Sequence, residues 1–84
     1  MLIEALGYLR ESISNYSDEQ KDALSIQNKI NENRYESETM FIRDLTEDEI
    51  SFLNNILPDE INYAMNEKDY KRVNELNEVY ELLY

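Results

Sequence analysis

Apolar side chains recur every three or four residues near the start of the chain, which is the spacing of one face of an α-helix. The first such stripe consists of Leu2, Leu6, Leu9, Ile13 and Tyr16. A weaker second stripe consists of Ala23, Ile26 and Ile30. Between them, residues 17–20 have the Ser-x-x-Gln pattern of a capping box, so we predict that Ser17 caps the second helix.

The clearest helix signal begins at Thr46. Residues 46–49, Thr-Glu-Asp-Glu, form a second capping-box pattern, and acidic side chains in a first turn suit the positive end of a helix. An apolar stripe then continues through Pro58 without a change of phase, in the order Ile50, Leu53, Leu57, Ile61 and Ala64. This predicts one helix kinked at Pro58, or two nearly collinear helices with Pro58 at the first position of the second.

A facing stripe follows after a short polar connection at residues 66–69. Asn66 is suited to the left-handed conformation that ends a helix, and Asp69 is suited to cap the next one. The new stripe consists of Val73, Leu76, Tyr80 and Leu83. Residues 46–84 are therefore predicted to form an antiparallel helical hairpin.

Residues 35–43 mix β-branched and aromatic side chains with charged ones, which favours an extended segment or a short strand. A single Gly and a single Pro in 84 residues leave few positions for the tight turns of a β-rich fold. The expected fold is all-α, a small helical bundle in one domain, because so short a chain can bury only one core. We divide it into N-terminal helices (1–33), a connector (34–45) and the hairpin (46–84).

Charge and composition exclude most kinds of chemistry. The chain has no His and no Cys, so it cannot build a Ser–His pair, a thiolate nucleophile or a His/Cys zinc site. One Gly cannot form a phosphate-cradling loop, and no EF-hand pattern is present. We therefore predict that the chain is not an enzyme and has no cofactor and no metal. Without Cys or a basic leader segment, we expect a cytoplasmic location and no membrane contact.

The net charge of −11 is unevenly distributed. Residues 1–43 contain five basic and eight acidic side chains, and residues 44–84 contain three and eleven. The field is therefore strongest over the hairpin, where it would repel phosphate backbones and attract basic surfaces. The carboxylates of the hairpin form either an ordinary solvated face or an array that imitates the phosphates of a nucleic acid.

The long helix carries a second apolar stripe, roughly 100° to 140° from the centre of the first. Its members are Phe52, Ile56 and Tyr63. This stripe either packs against the N-terminal helices of the same chain or contacts a partner or a second copy, since monomers seldom leave large apolar patches exposed.

These observations predict a small acidic protein-binding module, a regulator or inhibitor. It would dock on the basic surface of a larger protein that handles nucleic acid, without binding nucleic acid directly. The predicted partner-binding residues are Asp48, Phe52, Ile56, Asp59, Tyr63, Glu75, Glu78 and Glu81. The alternative is a homodimeric helical subunit of an assembly. In its acidic, Tyr-rich, helical composition the chain resembles small phage-type inhibitor proteins.

Overall fold

The computed structural model describes residues 3–83, which form five helices and no strand. The helices are α1 (Glu4–Ser14), α2 (Lys21–Glu32), α3 (Glu38–Arg43), α4 (Glu47–Asn66) and α5 (Tyr70–Glu81). The predicted all-α class is confirmed. Leu2, which was predicted to begin the first apolar stripe, lies outside the described residues.

The helices close into a bundle around one apolar core. α4 packs along α5 as the predicted antiparallel hairpin, α1 packs on both α5 and α2, and α2 returns to α4. Each helix contributes its apolar stripe to this core, except that α5 buries Val79 more completely than the predicted Val73 and Tyr80. The fully buried apolar side chains are Ala5, Leu6, Leu9, Ile13, Ala23, Ile26, Phe41, Leu53, Leu57, Leu76 and Val79.

The two predicted capping boxes have different outcomes. At Thr46 the box is confirmed, because its hydroxyl accepts from the Glu49 N–H while the Glu49 carboxylate accepts from the Thr46 N–H. At Ser17 the prediction is wrong, because α2 starts at Lys21 and its first turn has no side-chain cap. The Ser17 hydroxyl instead donates to the Ser14 carbonyl, 3.0 Å away. Ser17 thus belongs to the turn that trails α1, where a backbone carbonyl is available to it.

The predicted extended segment at residues 35–43 is also wrong, because most of it forms α3. Ser37 caps this short helix by accepting a hydrogen bond from the Met40 N–H. Phe41 is fully buried, and its ring meets the ring of Tyr35 edge-on at 5.4 Å between centroids. A lone strand would leave its backbone groups unpaired, whereas a helix satisfies them locally and still buries Phe41.

Of the alternatives at Pro58, a single helix is confirmed, since α4 continues through this residue, and the kink stays a prediction. Asp69 caps α5 as predicted, with its carboxylate accepting from the Arg72 N–H. The left-handed position in the connection is Lys68, with a φ of 60°, and not Asn66. Asn66 is still the last residue of α4, so the reversal of the chain begins two residues later than predicted.

Glu49 joins three parts of the bundle through one buried carboxylate. Its side chain accepts from the Ser25 hydroxyl at 2.6 Å and from the Lys29 ammonium at 2.5 Å, both on α2. The same carboxylate accepts from the Thr46 N–H at the start of α4. Lys29 also donates to the Asp44 carbonyl at 2.7 Å, after the end of α3. Glu49 is only 1% exposed, so these bonds replace the water it has lost.

The balance at this carboxylate favours the charged form. Burial is the strongest single influence on the pKa of Glu49 and opposes ionisation, but the bonds from Lys29, Ser25 and Thr46 together outweigh it. The pKa of Glu49 is therefore lowered from its ordinary value of 4.5. A lowered pKa contributes stability above that ordinary value, and this contribution is lost as the pH falls below it.

Replacing Glu49 with Gln is expected to lower the free energy of unfolding by about 2 kcal/mol, because an amide cannot accept from all three donors and leaves Lys29 partly unpaired. Urea unfolding at neutral pH measures the loss. Glu47→Gln is the matched control in the exposed first turn of the same helix and should cost less than about 1 kcal/mol. Equal losses for the two variants would contradict the role assigned to Glu49.

Candidate functional site

The three predicted apolar contact residues do not share one exposed face. Ile56 lies in the core and is only 8% exposed. Phe52 is half-buried, and its ring meets the ring of Tyr16 edge-on at 5.8 Å, so a residue following α1 covers part of it. Tyr63 is 67% exposed. Of this set, Tyr63 alone is freely available to a partner.

The predicted acidic residues lie on two different helices. Asp48 and Asp59 are exposed on α4, whereas Glu75, Glu78 and Glu81 follow one another on α5, where Glu75 is half-buried. Repulsion from Glu75 is the largest of several influences that raise the pKa of Glu78, and Glu38 on α3 adds to it. The acidic surface formed by Glu75, Glu78 and Glu81 thus also includes Glu38 of α3, which the sequence analysis did not place there. A binding role for the eight predicted residues stays a prediction.

An exposed aromatic and apolar surface surrounds the α4–α5 connection. Tyr63 and Met65 are exposed near the end of α4, and Tyr70 is 59% exposed at the start of α5. Next to them is a second pocket, which is lined by Tyr63, Ala64, Glu67, Asp69 and Arg72. We call Tyr63, Met65 and Tyr70 the hairpin-tip surface.

Carboxylates neutralise some of the basic side chains. Lys29 pairs with Glu49, Lys71 with Glu4, and Arg72 with both Glu11 and Asp69. Arg72 also lies over the ring of Tyr8, 5.5 Å from its centroid. The other five basic residues form no ion pair with the carboxylates of residues 3–83; they are Arg10, Lys21, Arg34, Arg43 and Lys68.

Two of these unpaired residues meet at a pocket between α1 and the end of α2. It has a volume of about 190 Å³ and is lined by Ile3, Arg10, Ile30, Asn31, Asn33, Arg34 and Tyr35. The Arg10 guanidinium donates to the Asn31 side-chain oxygen at 2.9 Å. No carboxylate lines this pocket. Sequence reasoning missed it, because Arg10 and Arg34 are far apart in the chain and only the packing of α1 on α2 brings them together. We call it the two-arginine pocket.

Tyr35 is held in place on one side of the two-arginine pocket. Its hydroxyl donates to the Asp44 carboxylate at 2.9 Å. Burial and the bond to Asp44 raise the pKa of Tyr35 from 10.0 to about 12, because both disfavour the phenolate. Tyr35 thus stays neutral throughout the physiological range.

Comparison with known proteins identifies the relatives of the chain. A family model described as CsgA, minor curli fiber component A, matches residues 2–84. The chain belongs to this family. It is also 54% identical over 78 residues to a protein of Bacillus subtilis (strain 168) described as a sigma-G-dependent sporulation-specific SASP protein, covering 93% of this chain and 94% of the relative. No solved structure matches the chain.

The B. subtilis relative confirms that the chain is a small non-enzymatic protein. The same spore-protein relative contradicts the predicted partner, a larger basic protein that the chain would bind without direct contact to nucleic acid. The inhibitor, regulator and nucleic-acid mimic roles depended on that partner and find no support in the relative. No helix within residues 3–83 is both long and apolar enough to cross a membrane.

Tyr35 is expected to ionise late in an alkaline titration. Because its pKa is raised in the folded chain, its hydroxyl contributes stability that is complete below pH 10.0 and is lost as the pH rises towards about 12. Ultraviolet absorbance of the phenolate measures this, and Tyr35→Phe should remove a late component. Tyr16→Phe is the comparison, because burial and the hydrogen bond to Glu60 also raise the pKa of Tyr16, so this variant should remove a different part of the late component. A late component of undiminished amplitude in Tyr35→Phe would contradict this assignment.

Proposed function

We propose that this chain is a non-enzymatic protein of the developing bacterial spore that binds DNA directly. The observation that carries the proposal is the 54% identity to the sporulation-specific SASP protein over nearly the full length of both chains. At this level of identity over a short domain, the two chains are expected to share their fold and their partner. The spore interior would then be the place where this chain acts.

The charge composition agrees with the behaviour of an acid-soluble spore protein. At neutral pH the net charge is −11, and in strong acid the 19 carboxylates become neutral while the eight basic side chains keep their charge. The molecule then carries a large positive charge, which keeps proteins apart in solution. The same protonation removes the stabilising charge of Glu49, so solubility in acid does not require the native fold.

Electrostatics restrict how the chain can approach DNA. Most of its surface is negative at neutral pH and is repelled by phosphates. Favourable contacts are limited to the basic side chains that no carboxylate of residues 3–83 neutralises, and two of these side chains line the two-arginine pocket. We therefore propose a local contact with few phosphates, in contrast to the long basic surface of most DNA-binding proteins.

A labelled DNA duplex titrated with the protein tests this proposal by fluorescence anisotropy. We expect weak binding whose affinity falls by no more than about twelvefold between about 50 and about 200 mM salt, which corresponds to a logarithmic slope no steeper than about −1.8 for two phosphates. Reversing one charge in Arg34→Glu should weaken the complex by about tenfold. Lys21→Glu has the same net charge and should weaken it less. If no complex forms even at low salt, DNA is not the partner.

A second candidate function is self-association into an assembly. Two observations favour it: the family description names a fiber component, and the hairpin-tip surface exposes two tyrosines beside a methionine. Tyr provides a large contact area with a polar tip and is common at protein interfaces. A second copy of the chain could cover this surface, which would make the protein a homodimeric or larger helical assembly.

The double variant Tyr63→Asp/Tyr70→Asp tests self-association, because it places charge on the hairpin-tip surface without touching the core. We expect the native chain to gain mass with rising concentration in analytical ultracentrifugation and the double variant to remain monomeric. Leu24→Asp is the control, since Leu24 is 47% exposed on α2. A native chain that stays monomeric at all concentrations would exclude this function.

A further inference from the structure

The two-arginine pocket is unusual for this protein in its charge. The chain has 19 acidic side chains against eight basic ones, yet the pocket is lined by two arginines and no carboxylate. Glu32 and Glu36 are close to Arg34 in sequence, but neither lines the pocket and neither forms an ion pair with Arg34. The positive charge of Arg34 is therefore not neutralised by the two glutamates that are its neighbours in the sequence.

The hydrogen-bond donors in the pocket are largely unused. A guanidinium has five N–H donors. Arg10 uses one of them on the Asn31 side-chain oxygen, and Arg34 forms no hydrogen bond with residues 3–83. Arg10 is half-buried and held by this bond, whereas Arg34 is exposed and can move towards a ligand. One arginine is thus fixed in position and the other is free to close on an anion.

The walls of the pocket are ordered by contacts elsewhere in the bundle. Ile30 belongs to the core, and Tyr35 is fixed by its bond to Asp44 and by the Phe41 ring. The Asn33 side chain donates to the Lys29 carbonyl at 3.1 Å, which satisfies one of the last carbonyls of α2. Binding at such a site would need little ordering beyond that of the Arg34 side chain.

Size and charge together select the ligand. The volume of about 190 Å³ is below the range of roughly 300 to 1,000 Å³ that holds a drug-sized molecule. Each guanidinium group can donate two parallel N–H···O hydrogen bonds to two oxygens of a phosphate, and two such groups balance the double negative charge of the phosphate. We propose that the two-arginine pocket binds a single phosphate group through Arg10 and Arg34. This site goes beyond the proposed function, because free phosphate as well as a phosphorylated DNA end could supply the group.

A titration followed by amide nuclear magnetic resonance tests the site. Sodium phosphate is added at neutral pH and compared with sodium chloride at equal ionic strength. We expect saturable shifts confined to the amides of Arg10, Asn31, Asn33 and Arg34 in phosphate alone. Arg34→Glu should weaken phosphate binding by about tenfold or more. Shifts that are equal in chloride, or that lie elsewhere in the chain, would overturn the site.

Two controls separate the pocket from general charge effects and from the fold. Lys21→Glu makes the same change in net charge at the opposite end of α2 and should alter phosphate binding by less than about twofold. Arg10→Gln keeps a donor towards Asn31 and should also weaken binding, with its spectrum showing whether the fold persists. Equal effects of Arg34→Glu and Lys21→Glu would overturn the site.

A third pair of titrations identifies the source of the phosphate. A short oligonucleotide with a 5′-phosphate is compared with the same oligonucleotide without it. Shifts at the pocket with the phosphorylated form alone support the site and assign a DNA end to it. Shifts with inorganic phosphate but neither oligonucleotide support the site and contradict the proposed DNA function. If the pocket amides respond neither to inorganic phosphate nor to the phosphorylated oligonucleotide, while DNA shifts other residues and its binding survives Arg34→Glu, the site is overturned and the DNA function is left intact.

Discussion

The buried carboxylate of Glu49 is the interaction on which the arrangement of α2, α3 and α4 depends. It is the most buried charged group of the described chain, at 1% exposure, and every contact it makes is with a donor from another part of the bundle or from its own helix start. A buried charge is tolerated only when its partners replace water. The positions of Ser25, Lys29 and Thr46 are therefore tied to one another, which fixes where α4 begins relative to α2.

This constraint explains why so small a protein can order a loop and a short helix between α2 and α4. Lys29 also holds the Asp44 carbonyl, and Asp44 in turn accepts from Tyr35, whose ring packs on Phe41. The chain of contacts runs from the buried carboxylate to the edge of the two-arginine pocket. It is weakened from the acid side, where Glu49 loses its charge, and from the alkaline side, where Tyr35 loses its proton.

The distribution of charge has a different role from the one that composition indicated. A net charge of −11 indicated a surface that seeks basic partners, but the spore relative contradicts such a partner. On α5, Lys71 and Arg72 are both paired with carboxylates. Repulsion from Glu75 and Glu38 disfavours ionisation of Glu78 on the same helix. Unpaired positive charge is left mainly in the first half of the chain, so a phosphate-bearing partner would meet α1 and α2 and not the hairpin.

The sequence by itself determined the helices with strong apolar periodicity, the Thr46 capping box and the antiparallel hairpin, because these depend on neighbours three or four residues apart. It also excluded chemistry that needs His or Cys. Only the tertiary structure decided that residues 38–43 are helical, that Ile56 is buried while Tyr63 is exposed, and that Arg10 and Arg34 line one pocket. Each of these depends on which helix packs against which, and contacts between residues far apart in the chain leave no periodic signal in the sequence.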